Sequence, residues 1–159
     1  MIINEPSVTY NRKNIKGVCL NEISDAANYA REFYNDVNNN IDPTREYVVL
    51  LMLNHKGFVI KSEVVFIGGT ASCIVDNKVL FYKLILNHAG SFVLIHNHPS
   101  GDPAPSTNDI RLTRQLREAA TVLQINFLDH IILGEKDNDP NGLGYYSFRD
   151  AGLIWVLGL

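Results

Sequence analysis

The chain has 159 residues, of which 46% are hydrophobic and 19% are charged, so it can bury the core of one domain but not comfortably of two. Its net charge of −3 and sequence pI of about 5.9 create no general basic field. Tight nonspecific binding to duplex DNA is therefore disfavoured, although contact with nucleic acid stays open.

Cysteine use and hydropathy restrict the cellular setting. Cys19 and Cys73 are the only cysteines, no C-x-x-C pattern is present, and we expect no secretory leader. No apolar run approaches the roughly 20 residues of a membrane span. We therefore expect a cytoplasmic protein with two free thiols and no membrane association, while its oligomeric state is unknown.

The first part of the chain predicts an arm followed by a helix. Residues 1–20 show no clear period and are expected to form an arm or an edge strand. A helix is predicted to open at Asn21, and the cluster Asn38–Asn40 together with Pro43 is expected to end it. Its apolar residues recur at helical spacing: Ile23, Ala26, Ala27, Ala30 and Phe33.

Two strands and a second helix are predicted next. Tyr47–Leu53 and Phe58–Ile67 are apolar runs separated by a short turn segment, which indicates a hairpin. A short strand is predicted over Ser72–Val75. A helix is then predicted over Asp76–His88, with Asp76 as its cap and Gly90 just past its end.

The last part of the chain predicts strand, helix and strand again. Ser91–Ile95 is a short apolar run typical of a buried strand, and Asn108–Ala120 has the pattern of a helix. The strand Phe127–Leu133, the polar loop 135–144 and a final short strand with an apolar C-terminus follow. This alternation predicts an α/β domain with a mixed sheet flanked by helices.

The segment HNHPSGDPAPSTND places two histidines, a serine and an aspartate at the spacing H-x-H-x7-S-x2-D. Positions i and i+2 of a strand share a face, so His96 and His98 can converge on one ion. Asp109 falls in the first turn of a helix, where the helix dipole favours a carboxylate. Two imidazoles and one carboxylate leave a fourth tetrahedral position for water, as in catalytic zinc sites. The spacing therefore predicts one zinc ion per chain.

These residues and some of their neighbours have other interpretations. Ser106-x-x-Asp109 is also a capping box, and capping can coexist with metal binding. We expect His130 to be an internal histidine with its ring nitrogens hydrogen-bonded. We expect Cys73 to be a small buried residue, and the alternative is that its thiolate binds the metal and inhibits the site. A nucleobase deaminase is disfavoured because H-x-E with P-C-x-x-C is absent, and the adjacent letters His-Asn-His do not define an HNH nuclease.

The same segment resembles the signature of JAMM metalloproteases, also called MPN-plus or JAB, in the form found in bacterial RadC-like proteins. Residues 42–157 carry the similarity, which includes three further segments: Arg45–Leu53, Leu128–Gly134 and Tyr146–Leu153. The resemblance implies a JAB/MPN domain of cytidine-deaminase-like architecture over residues 42–159, with residues 1–41 as an N-terminal arm and helix. RadC-like proteins usually have an additional N-terminal region of helix-hairpin-helix character, and we expect the roughly 40 residues before the similarity not to contain it.

The resemblance also implies the role of each site residue. In the family, two histidines and an aspartate bind zinc, a serine supports the tetrahedral intermediate, and a glutamate on an early strand is the general base. The matching positions in this chain are His96, His98, Asp109, Ser106 and Glu46.

Glu46 opens a strongly apolar strand, where desolvation can raise the pKa of its carboxyl group. The alternative for Glu46 is a surface residue paired with Arg45 or Lys61. Glu63 is the competing base, although it fits equally well as an outward partner of Lys61.

These observations predict a zinc-dependent hydrolase that cleaves peptide or isopeptide amide bonds, with a protein or peptide as its substrate. One alternative is a noncatalytic protein-interaction or DNA-repair accessory module, and another is a metal-dependent hydrolase acting on nucleic acid. The loop 135–144 is the candidate for modifying specificity. Three basic residues lie on the helix after the motif: Arg111, Arg114 and Arg117. Such a pattern is more typical of a solvated helix face than of a surface that binds a partner.

Overall fold

A computed structural model describes residues 18–68 and 75–154 of the chain. The described residues form three α-helices and five strands: α1 Ile23–Asn35, β1 Glu46–Leu53, β2 Val59–Gly68, α2 Asn77–Leu86, β3 Ser91–Asn97, α3 Thr107–Leu123, β4 Asn126–Leu133 and β5 Tyr145–Ser147. The strands form one sheet in the order β2-β1-β3-β4-β5. The predicted α/β architecture, a mixed sheet flanked by helices, is confirmed.

Strand β1 is apolar on both faces because helices cover both faces of the sheet. Its even-numbered residues pack with α2 and α3, and its odd-numbered residues pack with α1. The first set comprises Val48, Leu50 and Met52 and the second Val49, Leu51 and Leu53, all of them fully buried. The predicted hairpin of β1 and β2 is confirmed as an antiparallel pair.

Helix α1 contacts the sheet through three alanines, Ala26, Ala27 and Ala30, which are almost completely buried. Small side chains allow a helix to lie close against a sheet. Glu22 and Asp25 form a capping box at its start, so the helix begins slightly later than the predicted Asn21. The boundary between residues 1–41 and 42–159 stays a prediction, and α1 itself packs against the sheet.

Helix α2 begins as predicted, since the side chain of Asp76 accepts a hydrogen bond from the backbone N–H of Lys78. At the other end the left-handed conformation belongs to His88, whose φ is 52°, and not to Gly90. Gly90 has a different role: a Cβ there would lie only 2.5 Å from a ring nitrogen of His55. The predicted strand at Ser72–Val75 falls largely on residues outside the described part of the chain.

Strand β3 lies at the centre of the sheet, antiparallel to β1 and parallel to β4. In these registers His96 lies opposite Val48 of β1 and Ile132 of β4. Since alternate residues of a strand share a face, His96 points towards the helices α2 and α3. His130 of β4 lies opposite Leu94 and therefore faces the same way.

The described residues bear on two expectations about the cellular setting, the absence of a membrane span and the free thiols. No helix in the described ranges is long and apolar enough to cross a membrane. Cys19 is a free thiol, whereas Cys73 lies outside the described residues. The cytoplasmic location stays a prediction.

The buried carboxylate of Asp129 joins β4 to the turn after β5. It accepts hydrogen bonds from the Ser147 hydroxyl and from the backbone N–H groups of His130 and Arg149. Only 2% of Asp129 is exposed. Burial raises the pKa of Asp129 to about 6, although these bonds favour the ionised form.

We predict that Asp129 makes stability depend on pH. Its pKa in the folded state is about 6, against 3.8 for the free group, so the folded state binds the proton more tightly. The free energy of unfolding should therefore rise by up to about 3 kcal/mol as the pH falls from above 6 to below 4. Other carboxylates add their own pH dependence, so the quantity to measure is the difference between wild type and Asp129→Asn.

Urea unfolding at about pH 7 and pH 4.5 measures that difference. The wild type should gain stability relative to Asp129→Asn at the lower pH. Glu118→Gln, which alters an exposed carboxylate on α3 that is not among the charges acting on Asp129, is the control and should track the wild type. An equal difference at both pH values would contradict the expectation.

Candidate metal centre

Three side chains meet at the end of the sheet where β3 finishes. They come from β3, from the residue after it and from the first turn of α3. His96 Nε2 lies 3.1 Å from His98 Nε2 and 3.3 Å from Asp109 Oδ1. His98 Nε2 lies 3.5 Å from Asp109 Oδ2. The structure thus brings together the three side chains that the spacing predicts as ligands.

These separations match the geometry of zinc. With zinc–ligand distances of about 2.0–2.1 Å, neighbouring ligands of a tetrahedral ion lie about 3.3–3.4 Å apart. A wider group, with donor atoms all within 4.8 Å of one another, unites Glu46 with His96 and His98. The oxygens of Asp109 lie at tetrahedral spacing from both histidines, whereas Glu46 Oε1 is 3.9 Å from His96 Nε2. Asp109 as the third ligand stays a prediction.

The hydrogen bonds of His98 fix which of its nitrogens faces the site. His98 Nδ1 lies 2.8 Å from the carbonyl oxygen of Asp102. A carbonyl only accepts, so Nδ1 carries the hydrogen, and neutral His98 presents an Nε2 lone pair. The donor atoms of His96, His98 and Asp109 consequently surround a position that suits a cation.

Burial and charge set the protonation of these groups. Complete burial lowers the pKa of His96 to about 4, which favours the neutral form that a metal ligand needs. Burial acts the same way on His98, but the nearby carboxylate of Asp109 and the carbonyl of Asp102 raise its pKa overall. Burial raises the pKa of Asp109, yet the bonds from His98 and Ser106 and the attraction of His96 hold it well below its usual range.

Glu46 lies at the edge of this group as the first residue of β1. The β1–β3 register, continued by two residues, places it opposite His98. Asn97 holds this end of β1, because its side chain accepts from the Tyr47 N–H at 2.8 Å and donates to the Arg45 carbonyl at 2.9 Å. The Glu46 side chain is 18% exposed, and burial raises its pKa.

The residues named in the alternative interpretations of Glu46, and the competing base, make other contacts. Arg45 Nε donates to the carbonyl of Gly68, and Lys61 pairs with Glu63, so neither contacts Glu46 in the predicted manner. Glu63 also pairs with Lys83 and lies opposite Leu50 on β1. Leu50 is four residues from Glu46, or about 13 Å along the strand. The structure therefore places Glu63 away from the histidines.

Ser106 is the N-cap of α3, and the predicted capping box is confirmed. Its hydroxyl accepts from the Asp109 N–H and donates to Asp109 Oδ2 at 2.6 Å. Asp109 Oδ2 also accepts from the Ser106 N–H at 2.7 Å. The same bonds that start the helix orient the carboxylate, while a role for Ser106 in supporting a tetrahedral intermediate stays a prediction.

His130 is an internal histidine, as predicted, and is fully buried. Its Nε2 lies 2.9 Å from His96 Nδ1, and its Nδ1 lies 2.7 Å from Thr113 Oγ1. Both ring nitrogens are thus engaged, which leaves neither for a metal ion. The contacts of Thr113 and Asn97 were not found by sequence reasoning, because no motif relates them to the histidines.

A cleft of about 680 Å³ adjoins His98. Helix α1, the segment His98–Gly101 and the residues Gly134 and Glu135 form its walls. Arg31 of α1 donates to the carbonyl oxygens of Leu143 and Gly144. The loop 135–144 is therefore attached to α1 beside the cleft.

The chain is similar to a family model and to several known proteins. A family model described as RadC-like JAB domain matches residues 20–153. A UPF0758 protein of Clostridium acetobutylicum is 37% identical over 142 residues, which cover 89% of this chain and 56% of the relative. The UPF0758 protein YsxA of Bacillus subtilis is 45% identical over 111 residues, or 70% of this chain and 45% of the relative. The chain spans about half the length of these curated relatives.

We predict that the metal content depends on the two histidines of the motif. The double variant His96→Ala/His98→Ala should lose most of the bound metal, because Asp109 alone retains little affinity for a divalent transition ion. His55→Ala, which alters an exposed turn histidine, should keep wild-type content. Elemental analysis of purified protein measures both, and full occupancy in the double variant would refute the site.

Proposed function

Because the chain belongs to the RadC-like JAB domain family, we propose that it is a zinc-dependent hydrolase that cleaves peptide or isopeptide amide bonds. The observation that supports this proposal is the set of two histidines and one carboxylate at tetrahedral spacing, with a partly buried glutamate beside it. This donor set leaves one coordination position open, which is typical of catalytic and not of structural zinc.

His96, His98 and Asp109 would hold the ion. Bound there, zinc supplies a Lewis acid that polarises a carbonyl and lowers the pKa of a coordinated water towards about 7. Nitrogen donors and a carboxylate suit this ion.

Glu46 acts as the general base in this proposal. Its Oε1 lies 3.9 Å from His96 Nε2, farther than a ligand of the same ion would lie and near enough to contact a water at the site. The carboxylate accepts the proton of the attacking water and delivers it to the leaving amine nitrogen. Asn97 keeps Glu46 in place by holding the backbone on both sides of it, at Arg45 and Tyr47.

Ser106 supports the oxyanion of the tetrahedral intermediate. Its hydroxyl donates to Asp109 Oδ2, so it must turn from this acceptor to reach the substrate oxygen. The backbone N–H of Ser106 still donates to Asp109 when the hydroxyl turns, so the carboxylate keeps its orientation.

The cleft beside His98 is where we propose that the substrate binds. Its volume of about 680 Å³ lies within the usual range of ligand sites, and it adjoins the metal centre through His98. Residues of α1 and Glu135 lie along this path, so the helix and the loop 135–144 can select among substrates. The chain matches about half the length of these relatives, so the substrates and partners of the whole protein are also proposals.

The proposal is tested with purified zinc-loaded protein in an unbiased screen of peptide and isopeptide substrates. Glu46→Gln should keep zinc and stability while lowering turnover by about 10² to 10⁴, the usual effect of losing a general base. Glu63→Gln removes a carboxylate remote from the histidines and is the matched control. A fully active Glu46→Gln variant would remove Glu46 from the mechanism, and a screen without any cleaved amide would refute the proposed activity.

Ser106→Ala should separate catalysis from helix capping. We expect it to keep zinc and to lose about 10² to 10³ in turnover through weaker oxyanion support, with about 1 kcal/mol of stability lost from the cap. Kinetics and urea unfolding on the same preparation measure the two effects. Unchanged turnover in a variant with the expected loss of stability would show that Ser106 is only a cap.

A further inference from the structure

Three hydrogen-bonding contacts connect helix α3 to the buried side of His96. Thr113 Oγ1 lies 2.7 Å from the carbonyl oxygen of Asp109, one turn earlier in the same helix. The same hydroxyl lies 2.7 Å from His130 Nδ1. His130 Nε2 in turn lies 2.9 Å from His96 Nδ1.

The donors and acceptors of this chain determine where each hydrogen lies. The carbonyl of Asp109 only accepts, so the hydroxyl hydrogen of Thr113 points at it. The Thr113 oxygen must then accept from His130 Nδ1–H. Neutral His130 has only one ring hydrogen, so its Nε2 accepts from His96 Nδ1–H, and the lone pair of His96 Nε2 faces the metal centre.

We propose that His130 and Thr113 are positioning residues of the metal centre, which hold His96 in the Nδ1–H tautomer and orient its Nε2 towards the ion. This inference rests on the proposed function, because it concerns the metal site of that reaction. Partners of this kind on the far side of a histidine ligand commonly change metal affinity by about 10- to 100-fold.

Packing and hydrogen bonds together fix the orientation of the His130 ring. The ring is fully buried and stacks on Phe148, with 4.7 Å between the centroids and 7° between the planes. Its backbone N–H donates to Asp129 on the same strand. The stack fixes the plane of the ring, and of the two ring flips that keep this plane only one places Nδ1 against Thr113 and Nε2 against His96.

The contacts also close a ring that includes two of the proposed ligands. Asp109 and Thr113 lie one helical turn apart on the buried face of α3, and both are almost completely buried. From Thr113 the path runs through His130 to His96, whose Nε2 returns to Asp109 Oδ1 at 3.3 Å. A shift of α3 would therefore disturb the Asp109 carboxylate and the Thr113–His130 contact at the same time.

Three substitutions on α3 test this inference by zinc affinity. Thr113→Val keeps the shape but removes the hydroxyl, and it should raise the Kd for zinc by about 10- to 100-fold in competition with a chromophoric chelator. Thr113→Ser keeps the hydroxyl and should bind nearly as the wild type does. Thr121→Val is the matched control, because Thr121 also donates to the carbonyl four residues earlier, at 2.9 Å, on an exposed part of α3.

Nuclear magnetic resonance of protein with ¹⁵N-labelled histidine tests the direction of the hydrogen bonds directly in the wild type. We expect hydrogens on Nδ1 of both His96 and His130, and a scalar coupling across the bond between His96 Nδ1 and His130 Nε2. A hydrogen on His130 Nε2 in neutral His130 would overturn the proposal. This measurement also decides the matter if Thr113→Val fails to fold.

The outcomes separate this inference from the proposed function. A folded Thr113→Val variant with wild-type zinc affinity would refute the positioning role while leaving the hydrolase proposal intact. A wild type that binds no zinc would refute both the hydrolase proposal and the positioning role. Zinc binding that depends on Thr113, together with no amide cleavage, would support the positioning role and reject the hydrolase.

Discussion

The parallel pairing of β3 with β4 is the constraint on which the arrangement of this site depends. Two consecutive parallel strands cannot be joined by a tight turn, so the chain must cross over the sheet, here through α3. A crossover helix begins where the first strand ends. His96 and His98 stand at that end of β3, and the first turn of α3 therefore delivers Asp109 next to them.

The neighbouring strands add the remaining groups through their registers. Antiparallel β1 begins beside the end of β3, which brings Glu46 to the histidines, and Asn97 secures this beginning through two backbone bonds. Parallel β4 places His130 on the same face, under α3. The end of the sheet where β3 finishes thus collects polar side chains from three strands and a helix, while the core between this face and the helices α2 and α3 is apolar.

Because these polar groups are buried, their stability depends on their hydrogen-bond partners. A buried imidazole or carboxylate is costly unless it is hydrogen-bonded or paired with a charge. His130 and Thr113 satisfy each other and His96, and Ser106 satisfies Asp109. The protein has therefore ordered these side chains through its own contacts, and such preorganisation is what a precise metal or catalytic site requires.

Much of the site was predictable because its signals are local. Strand alternation places His96 and His98 on one face, and the Ser106-x-x-Asp109 box is confirmed as the start of α3. Hydrophobic runs also predicted the hairpin and the central strand, since a strand covered on both faces is apolar throughout. Each of these features depends on residues that lie close to one another in the sequence.

The sequence by itself determined the spacing of the two histidines and the aspartate, the capping of α3 and the α/β character of the domain. Only the tertiary structure decided that Glu46 and not Glu63 lies beside His96, because that choice depends on the register between strands distant in sequence. It also decided that His130 and Thr113 contact the site. Periodicity reports which face of an element is buried, but strand order and register decide which buried faces meet.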